Sequence, residues 1–313
     1  MNQLYKIFTW PAQQQYLFQL AQGDFEIYIP AGQNESFRQQ FSSQKNVIEI
    51  DGDELKDLQL DCILFQDEYS YKTAQFEVLS DQQRELPKIY LEHHPPKQHP
   101  TNTKHFVEEQ QIQLVQVNHY NALMWDNNQS PVTVIEHGVA TDTIAFSGEQ
   151  AKGVIVLEEQ PDDDRVIGTD IFTLVKEALP LDVIQIGKEN ITHQNLPEKI
   201  SPYRFLFCPD RYASPAFAVF QAMMQGMPVI GLATTNLPTI LTNEVSGFTD
   251  SDVNYLIGKM KTLLDDPQLA VQMGAEARKS ALQRFSLNRF LSDWNQVLKN
   301  AVSAKPLLKP EHF

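Results

Sequence analysis

The sequence predicts an α/β protein built on parallel sheets. Short apolar runs alternate with stretches of helical periodicity along almost the whole chain, a pattern that is typical of parallel strands joined by crossover helices. The pattern lapses at the polar segment TDTIAFSGEQAK (141–152) and restarts with GVIVL. Because 313 residues exceed one ordinary core, we expect two doubly wound domains in series, facing each other across a cleft.

The apolar runs define the predicted strands. In the first half these are LYKIFTW (4–10), FEIYI (25–29), NVIEI (46–50), DCILF (61–65), KIYLE (88–92), IQLVQV (112–117) and VTVI (132–135). In the second half they are GVIVL (153–157), LDVIQIG (181–187), RFLFCP (204–209) and MPVIGLA (227–233). We predict helices at 169–179, from about Leu237 onwards, and three times more before the carboxyl terminus. The last of them, 288–302, carries one apolar face that seeks a partner surface.

One helix is unusually well marked in the sequence SPAFAVFQAMMQGMP. Ser214 suits the N-cap and Pro215 the first helical position, while Gly226 and Pro228 end the helix. The predicted helix therefore runs from 215 to about 225. Gln221 then lies two turns below Ser214 on the same face.

The domain bounds follow from these elements. We predict an amino-terminal domain at 1–148, a second domain at 149–287 and a carboxyl-terminal helix with its tail at 288–313. Doubly wound domains bind ligands at the carboxyl ends of their strands, so the candidate functional residues are expected there.

Composition excludes several classes of protein. The net charge of −15 opposes binding to phosphate backbones and anionic lipids. Two cysteines, Cys62 and Cys208, lie in apolar runs, so we expect them to be buried thiols. Two free cysteines are typical of a protein in a reducing compartment. With no apolar run at the amino terminus and none near the roughly 20 residues that span a bilayer, we expect a cytoplasmic protein.

Candidate binding residues in the second half follow strand ends. The helix start at Ser214 and Pro215 directs backbone N–H groups and a positive dipole end towards an anion, or it is simple capping. The further candidates at strand ends and on the helix face are Arg165, Lys188, Phe217, Gln221, Thr234 and Thr235. Each has a structural alternative, as a solvated charge, a loop hydroxyl or an ordinary helix residue.

In the first half, Glu92 and His93 follow the strand KIYLE, and His119 follows IQLVQV. A carboxylate or imidazole at a strand exit suits contact with an acceptor hydroxyl, whereas His119 is either a helix cap or a contact. A metal site is another possible role for the histidines at 93, 94, 99 and 105. Their spacing, however, fits neither a helix face nor a paired-ligand turn. We therefore predict no metal.

The second half contains one long stretch with a recognisable signature, FQAMMQGMPVIGLATTNLPTILTNEVSGF (220–248). It is similar to the pattern Glu-Ala-Met, Gly-x-Pro-Val-Ile, a phosphate loop and Asn-Gly-x-x-Gly-Phe, and so resembles the retaining GT-B glycosyltransferases that use nucleotide sugars. IEHGVATD (135–142) and RFSLNRFLSDW (284–294) resemble the family's interdomain segment and terminal helix. The segments 88–105 and 117–139 resemble one bacterial branch of the family. The resemblance covers nearly the whole chain.

The resemblance implies a GT-B fold whose first domain faces the acceptor, whose second domain binds the nucleotide sugar, and whose last helix returns to the first domain. Three places depart from the family pattern. Gln221 stands where the family has a ribose-binding glutamate, and LEEQPDDDRVIG (157–168) is acidic where the branch has a basic loop, with only Arg165 in place. TWPAQQQ (9–15) replaces a glycine turn.

The sequence thus predicts a glycosyltransferase that uses a nucleoside-diphosphate sugar as substrate, without cofactor or metal, in bacterial surface-glycan synthesis. The helix start, Arg165, Thr234 and Thr235 are expected to stabilise the diphosphate, while Gln221 orients the ribose. The acidic loop and lost glycine turn favour an alternative, a non-catalytic copy that binds or regulates a partner glycosyltransferase. A sugar-nucleotide epimerase is a third, weaker alternative.

Overall fold

The chain forms two compact units, residues 1–136 with 290–313 (unit 1) and residues 137–289 (unit 2). The structure is a computed structural model that describes residues 4–140, 144–158 and 165–303. Parts of the polar segment at 141–152 and of the acidic loop at 157–168 lie outside the described residues, as does the tail after 303.

Unit 1 contains a seven-stranded sheet in which every neighbouring pair is parallel. Its strands, in chain order, are β1 (Tyr5–Thr9), β2 (Phe25–Pro30), β3 (Val47–Ile50), β4 (Cys62–Phe65), β5 (Lys88–Glu92), β6 (Gln113–Gln116) and β7 (Val132–Val134). The spatial order is β3-β2-β1-β4-β5-β6-β7. All seven strands predicted for the first half are therefore confirmed, with ends that differ by at most one residue.

Short helices connect the strands of unit 1. They are α1 (Gln14–Leu20), α2 (Glu35–Gln40), α3 (Gly52–Asp57), a π-helical turn (Ser70–Ala74) that leads into α4 (Gln75–Val78), α5 (Asp81–Arg84) and α6 (His119–Met124). Local capping explains several of the starts. Asn34 accepts a hydrogen bond from the backbone N–H of Phe37 at 2.8 Å, and Ser80 forms a reciprocal capping box with Gln83.

The last helix of the chain packs on unit 1. Its apolar face includes Phe290 and Trp294, both fully buried, and the Trp294 Nε1 atom donates to the Tyr16 hydroxyl at 3.0 Å. The Tyr16 ring also meets the Phe290 ring edge-on, with centroids 5.2 Å apart. The predicted return of this helix to the amino-terminal unit is thus what buries its apolar stripe.

Unit 2 contains five parallel strands in the order β12-β11-β10-β8-β9. They are β8 (Gln150–Leu157), β9 (Leu181–Gln185), β10 (Tyr203–Cys208), β11 (Val229–Leu232) and β12 (Gly247–Asp250). Alternate residues of the central strands enter two different apolar clusters. Val154 and Leu206 belong to one, while Ile155 and Phe205 belong to the other, so both faces of the sheet are buried, as parallel sheets require.

The helices of unit 2 cover those two faces. They are α7 (Thr169–Ala178), α8 (Leu196–Ile200), α9 (Phe217–Gln225), α10 (Leu237–Ile240), α11 (Val253–Asp265) and α12 (Pro267–Arg284). The next and last helix, α13 (Leu287–Ser303), begins in unit 2 and belongs to unit 1 from Phe290 onwards. Gly226 ends α9 with φ +89°, a left-handed conformation that glycine adopts without strain. The three predicted terminal helices are confirmed.

The predicted start of α9 is wrong. The helix begins at Phe217, with Ala216 in extended conformation (φ −56°, ψ 149°) as the residue before it and no side-chain cap. Pro215 disfavours helical backbone at Ser214, which precedes it, and Ala216 continues the extended segment. Ser214 is therefore not the N-cap, and Gln221 lies one turn after Phe217 rather than two turns after Ser214.

Two short elements of unit 2 were missed by sequence analysis. The strand β12 reads GFTD and the helix α8 reads LPEKI. Neither contains an apolar run or a repeat long enough to show a period. The strand β12 forms because it pairs along its whole length with β11.

Candidate functional site

The strand order of unit 2 reverses between β8 and β10, and ligands of doubly wound sheets bind at the carboxyl ends beside such a reversal. The segments that follow these two strands touch each other. Gly168, with φ +74°, lies so close to the Pro209 carbonyl oxygen that an added Cβ atom would come within 2.2 Å of it. The Arg211 backbone N–H also donates to the Val166 carbonyl oxygen at 2.8 Å.

Two carboxylates, Glu158 and Asp210, stand at this reversal. Burial, with the nearby Glu158 charge adding to it, raises the pKa of the Asp210 carboxyl to about 6. The Cys208 thiol donates to Asp210 Oδ2 at 3.0 Å and acts in the opposite direction. The Cys208 thiol is itself buried, as the sequence predicted.

His193 joins this group from the segment between β9 and α8. Its Nε2 atom lies 3.2 Å from Glu158 Oε2, and its carbonyl oxygen accepts a hydrogen bond from Gln221 Nε2 at 2.8 Å. The His193 ring also meets the Phe217 ring nearly edge-on, with centroids 6.0 Å apart. Sequence analysis gave no role to His193.

Phe217 and Gln221 lie on one face of α9 because they are four residues apart. Gln221 is only 5% exposed, and within the described residues its Oε1 atom has no hydrogen-bond partner. The same holds for His193 Nδ1 among the residues that the structure describes. We call Glu158, His193, Asp210, Phe217 and Gln221 the unit-2 cluster.

Two arginines of unit 2, Arg165 and Arg211, form ion pairs with the same carboxylate, Asp170, in the first turn of α7. Arg211 holds it with two hydrogen bonds, of 2.6 Å to Oδ1 and 2.7 Å to Oδ2, and Arg165 Nη1 lies 3.5 Å from Oδ2. Arg211 lowers the pKa of the Asp170 carboxyl to about 2. The guanidinium predicted to meet a diphosphate is therefore paired within the chain.

The remaining candidates of unit 2 lie in neighbouring loops. Thr234 donates its hydroxyl to the Asp210 carbonyl oxygen at 2.6 Å, and Thr235 donates to the Ala213 carbonyl oxygen at 2.9 Å. These bonds tie the loop after β11 to the loop after β10. Ser214 and Pro215 lie in the latter, just before α9, and Lys188 is exposed in the turn after β9.

A second polar group occupies the carboxyl edge of unit 1, where the strand order reverses between β1 and β4. The Glu92 Oε1 atom accepts from the His94 backbone N–H at 2.9 Å, and its Oε2 atom lies 3.3 Å from His105 Nε2. The Val107 backbone N–H donates to His105 Nδ1 at 3.1 Å. Since Nδ1 accepts, Nε2 carries the proton and donates to Glu92.

His93 belongs to the same edge. Its Nε2 atom lies 3.3 Å from Gln66 Oε1, and Gln66 Nε2 donates to Thr9 Oγ1 at 3.0 Å and to the Trp10 carbonyl oxygen. Both Gln66 and His93 are buried. We call Thr9, Gln66, Glu92, His93 and His105 the unit-1 cluster.

His119, the third predicted catalytic residue, is exposed at the first position of α6. The cap of that helix is Asn118, whose side chain accepts from the Asn121 backbone N–H at 2.7 Å. Of the two interpretations of His119, the cap is therefore wrong, and contact with a ligand stays a prediction. In the described part of the chain, no three His, Cys, Asp or Glu side chains are grouped to hold a metal ion.

Two sequence comparisons match parts of this chain. The model of the glycosyl transferase-like family matches residues 165–296, which contain α7, His193 and the whole of α9. Trehalose synthase of Pyrococcus horikoshii is 28% identical over 82 residues, which are 26% of this chain and 20% of that relative. The chain thus aligns with about a fifth of the relative's length.

Solved structures resemble the chain along nearly its full length. Sucrose-phosphate synthase of Thermosynechococcus elongatus superimposes with a TM-score of 0.70 at 14% identity, over 96% of this chain and 100% of that one. HepE of Anabaena, in complex with UDP and glucose, gives a TM-score of 0.70 at 13% identity over 95% and 100% of the two chains. The chain has the GT-B fold of these structures, and its residues 165–296 match the glycosyl transferase-like family. Its two parallel sheets with flanking helices are the GT-B architecture that the sequence predicted.

The model of the glycosyl transferase-like family begins after β8 and thus reaches Asp170 but not Glu158. Sequence analysis missed Glu158, His193 and Asp210 because each lies in a polar segment that looks like any surface loop. Their position directly after a strand, or shortly before a helix, was the signal available.

Within the described residues, no helix has the length and hydropathy needed to cross a bilayer.

Proposed function

We propose that the chain transfers a sugar from a nucleoside-diphosphate sugar to an acceptor, with retention of configuration and without a metal ion or cofactor. The observation that carries this proposal is the match of the glycosyl transferase-like family to residues 165–296, which include the α9 face with Phe217 and Gln221. The fold supports it as well, since HepE, which has the same fold, is in complex with UDP-glucose in one solved structure.

In this proposal unit 2 binds the donor. The nine-residue helix α9 presents its first N–H groups and the positive end of its dipole next to the loop of Ser214 and Pro215. The buried Gln221 Oε1 atom accepts a hydroxyl of the ribose. Arg165 and Lys188, with the loop held by Thr234 and Thr235, lie on the same carboxyl side of the sheet and stabilise the leaving diphosphate electrostatically.

We assign the acceptor to unit 1, where Glu92, His93 and His119 lie at or after the carboxyl ends of β5 and β6. The Glu92 carboxylate is held in place by two donors from its own chain, the His94 backbone N–H and His105 Nε2. Following the bacterial branch that the sequence resembles, we propose a surface-glycan precursor as the acceptor and the cytoplasm as the place of reaction.

One observation favours a second candidate function, a non-catalytic copy that binds or regulates a partner glycosyltransferase. Asp170 engages both Arg165 and Arg211, and two carboxylates, Glu158 and Asp210, stand at the strand reversal. These charges oppose a diphosphate more strongly as water is excluded from the site.

Isothermal titration with UDP, GDP and their sugars, followed by an assay for released nucleoside diphosphate in the presence of EDTA, tests both candidates. We expect one nucleotide to bind and its sugar to be turned over with EDTA present, and the product's anomeric configuration, read by NMR, to match that of the donor. Binding without turnover on any acceptor would favour the non-catalytic copy. Absence of heat with every nucleotide would rule out the transferase.

A further inference from the structure

We infer that His193 is a second hydroxyl acceptor for the nucleotide's ribose, beside Gln221, and that Glu158 is the positioning residue that holds its ring in the accepting tautomer. This inference rests on the proposed function, because it assigns a part of the same donor site. It concerns residues of unit 2 only.

The tautomer follows from the chemistry of the pair. An ionised carboxylate can only accept hydrogen bonds, so the His193 Nε2 atom, 3.2 Å from Glu158 Oε2, must carry the proton. In the neutral ring Nδ1 then has a lone pair and no proton. Glu158 thereby leaves the His193 Nδ1 atom, on the other side of the ring, as a hydrogen-bond acceptor.

The position of this acceptor follows from three contacts. The His193 carbonyl oxygen receives the Gln221 Nε2 hydrogen bond at 2.8 Å, which directs the other end of that amide, Oε1, away from the carbonyl. The His193 ring packs edge-on against Phe217, one turn before Gln221 on the same helix face. His193 therefore contacts the α9 face of Phe217 and Gln221 through both its ring and its backbone carbonyl.

Burial makes these two atoms costly to leave without donors. Gln221 is 5% exposed and the His193 side chain 12% exposed, and within the described residues neither Gln221 Oε1 nor His193 Nδ1 has a hydrogen-bond partner. A buried polar atom without a partner is unfavourable, because it has lost its hydrogen bonds to water. Two such atoms, one on α9 and one on the loop that contacts it, indicate a ligand that brings two donors.

The chemistry of a nucleoside diphosphate decides which part of the ligand fits. Its phosphates offer no donor at neutral pH, and Asp210 and Glu158 nearby repel them. The ribose carries two vicinal hydroxyls, each able to donate one hydrogen bond. Two acceptors, one on α9 and one on the loop that contacts it, match that diol in number and chemistry, so His193 and Gln221 each take one hydroxyl.

The test compares a nucleoside diphosphate with its 2′-deoxy and 3′-deoxy analogues. UDP is the probe, replaced by GDP if GDP is the nucleotide that the wild type binds, and affinities are measured by titration at pH 8. The variants are His193→Leu, which removes the acceptor, His193→Asn, which keeps an accepting oxygen near the Nδ1 position, and Gln221→Met. His99→Leu, at an exposed histidine of unit 1, is the matched control.

We expect His193→Leu to weaken binding of the ribonucleotide about tenfold, the loss of one buried hydrogen bond, and to weaken one of the two deoxy analogues less than twofold. Gln221→Met should show the same pattern with the other analogue. His193→Asn should remain within threefold of the wild type, as should His99→Leu.

Equal weakening of all three nucleotides by His193→Leu would overturn the inference, as would no weakening at all or an Asn variant as weak as the Leu variant. Circular dichroism of each variant separates these results from a loss of fold, and the Asn variant keeps the test decisive if the Leu variant unfolds. A wild type that binds no nucleotide overturns the proposed function itself, and the inference with it.

Discussion

The two sheets carry polar clusters at equivalent places, the carboxyl ends of their strands, but the clusters are completed differently. In the unit-1 cluster, Glu92 and Gln66 use both ends of their side chains on partners from the same unit. In the unit-2 cluster, Gln221 and His193 each leave one buried acceptor without a partner in the described residues. The side chains of Glu92 and Gln66 are therefore held in place by their own unit, whereas Gln221 and His193 each keep a buried acceptor that suits a ligand.

The largest expected effect is a difference in stability between variants of His105 and His193, two histidines that each pair with a glutamate. His105→Ala should destabilise the protein by about 3 to 5 kcal/mol, because it leaves Glu92, whose side chain is 10% exposed, as a buried charge without its ring partner. His193→Ala should cost about 1 kcal/mol or less, since Glu158 is 43% exposed and remains solvated. Urea denaturation measures both, and equal losses would remove the distinction between the clusters.

The next effect is a gain of stability in the unit-2 cluster. The folded-state pKa of Asp210, about 6, lies above its usual value near 3.9, so the folded protein holds a proton that the unfolded chain has released. Stability is thus lost as pH rises from about 4 to 6. Asp210→Asn should be more stable than the wild type by about 2 to 3 kcal/mol at pH 8 and equal to it below pH 4.

Asp170→Asn is the matched control for this pH dependence. The Arg211 guanidinium lowers the pKa of Asp170 to about 2, so this carboxylate stabilises the fold above about pH 4 and the contribution is lost as pH falls towards 2. Its substitution should therefore lower stability at pH 8, the opposite sign to Asp210→Asn. A stability difference for Asp210→Asn that did not vary between pH 4 and 8 would contradict the raised pKa.

Two buried glutamines provide a smaller contrast. Gln66→Met removes hydrogen bonds to Thr9, Trp10 and His93, and should cost about 2 kcal/mol in the free energy of unfolding. Gln221→Met loses one hydrogen bond to His193 but also removes a buried oxygen without a partner, so we expect less than about 1 kcal/mol. Thermal denaturation in parallel decides this, and a costlier change at Gln221 would show that its amide serves the fold.

The smallest expected effect concerns nucleotide affinity. Asp170→Asn releases Arg211 and Arg165 from their carboxylate, and we expect the affinity for a nucleoside diphosphate to rise about threefold to tenfold. Asp182→Asn, which breaks the Lys152 ion pair elsewhere in unit 2, is the control and should leave affinity unchanged. Titration of the three proteins at low salt measures the effect, and an unchanged Asp170 variant would place its arginines outside the site.

Sequence patterns predicted the regular elements better than the site. The strand β5 was predicted to the residue, because KIYLE is an apolar run bounded by polar segments. The start of α9 was misplaced because Ser214 and Pro215 form a capping pattern whose use depends on the loop that precedes it. Phe217 and Gln221 share a face of α9 because they are four residues apart, a relation that does not depend on where the helix starts.

By itself, the sequence determined the α/β class, the parallel strands and the apolar stripe of the last helix, since these depend on spacing between near neighbours in the chain. Only the tertiary structure decided which polar groups are partners. Gln221 meets His193 across 28 residues and Arg211 meets Asp170 across 41. Such pairings depend on the order of strands in the sheet, because it is the sheet that brings distant loops to one edge, and no local period encodes that order.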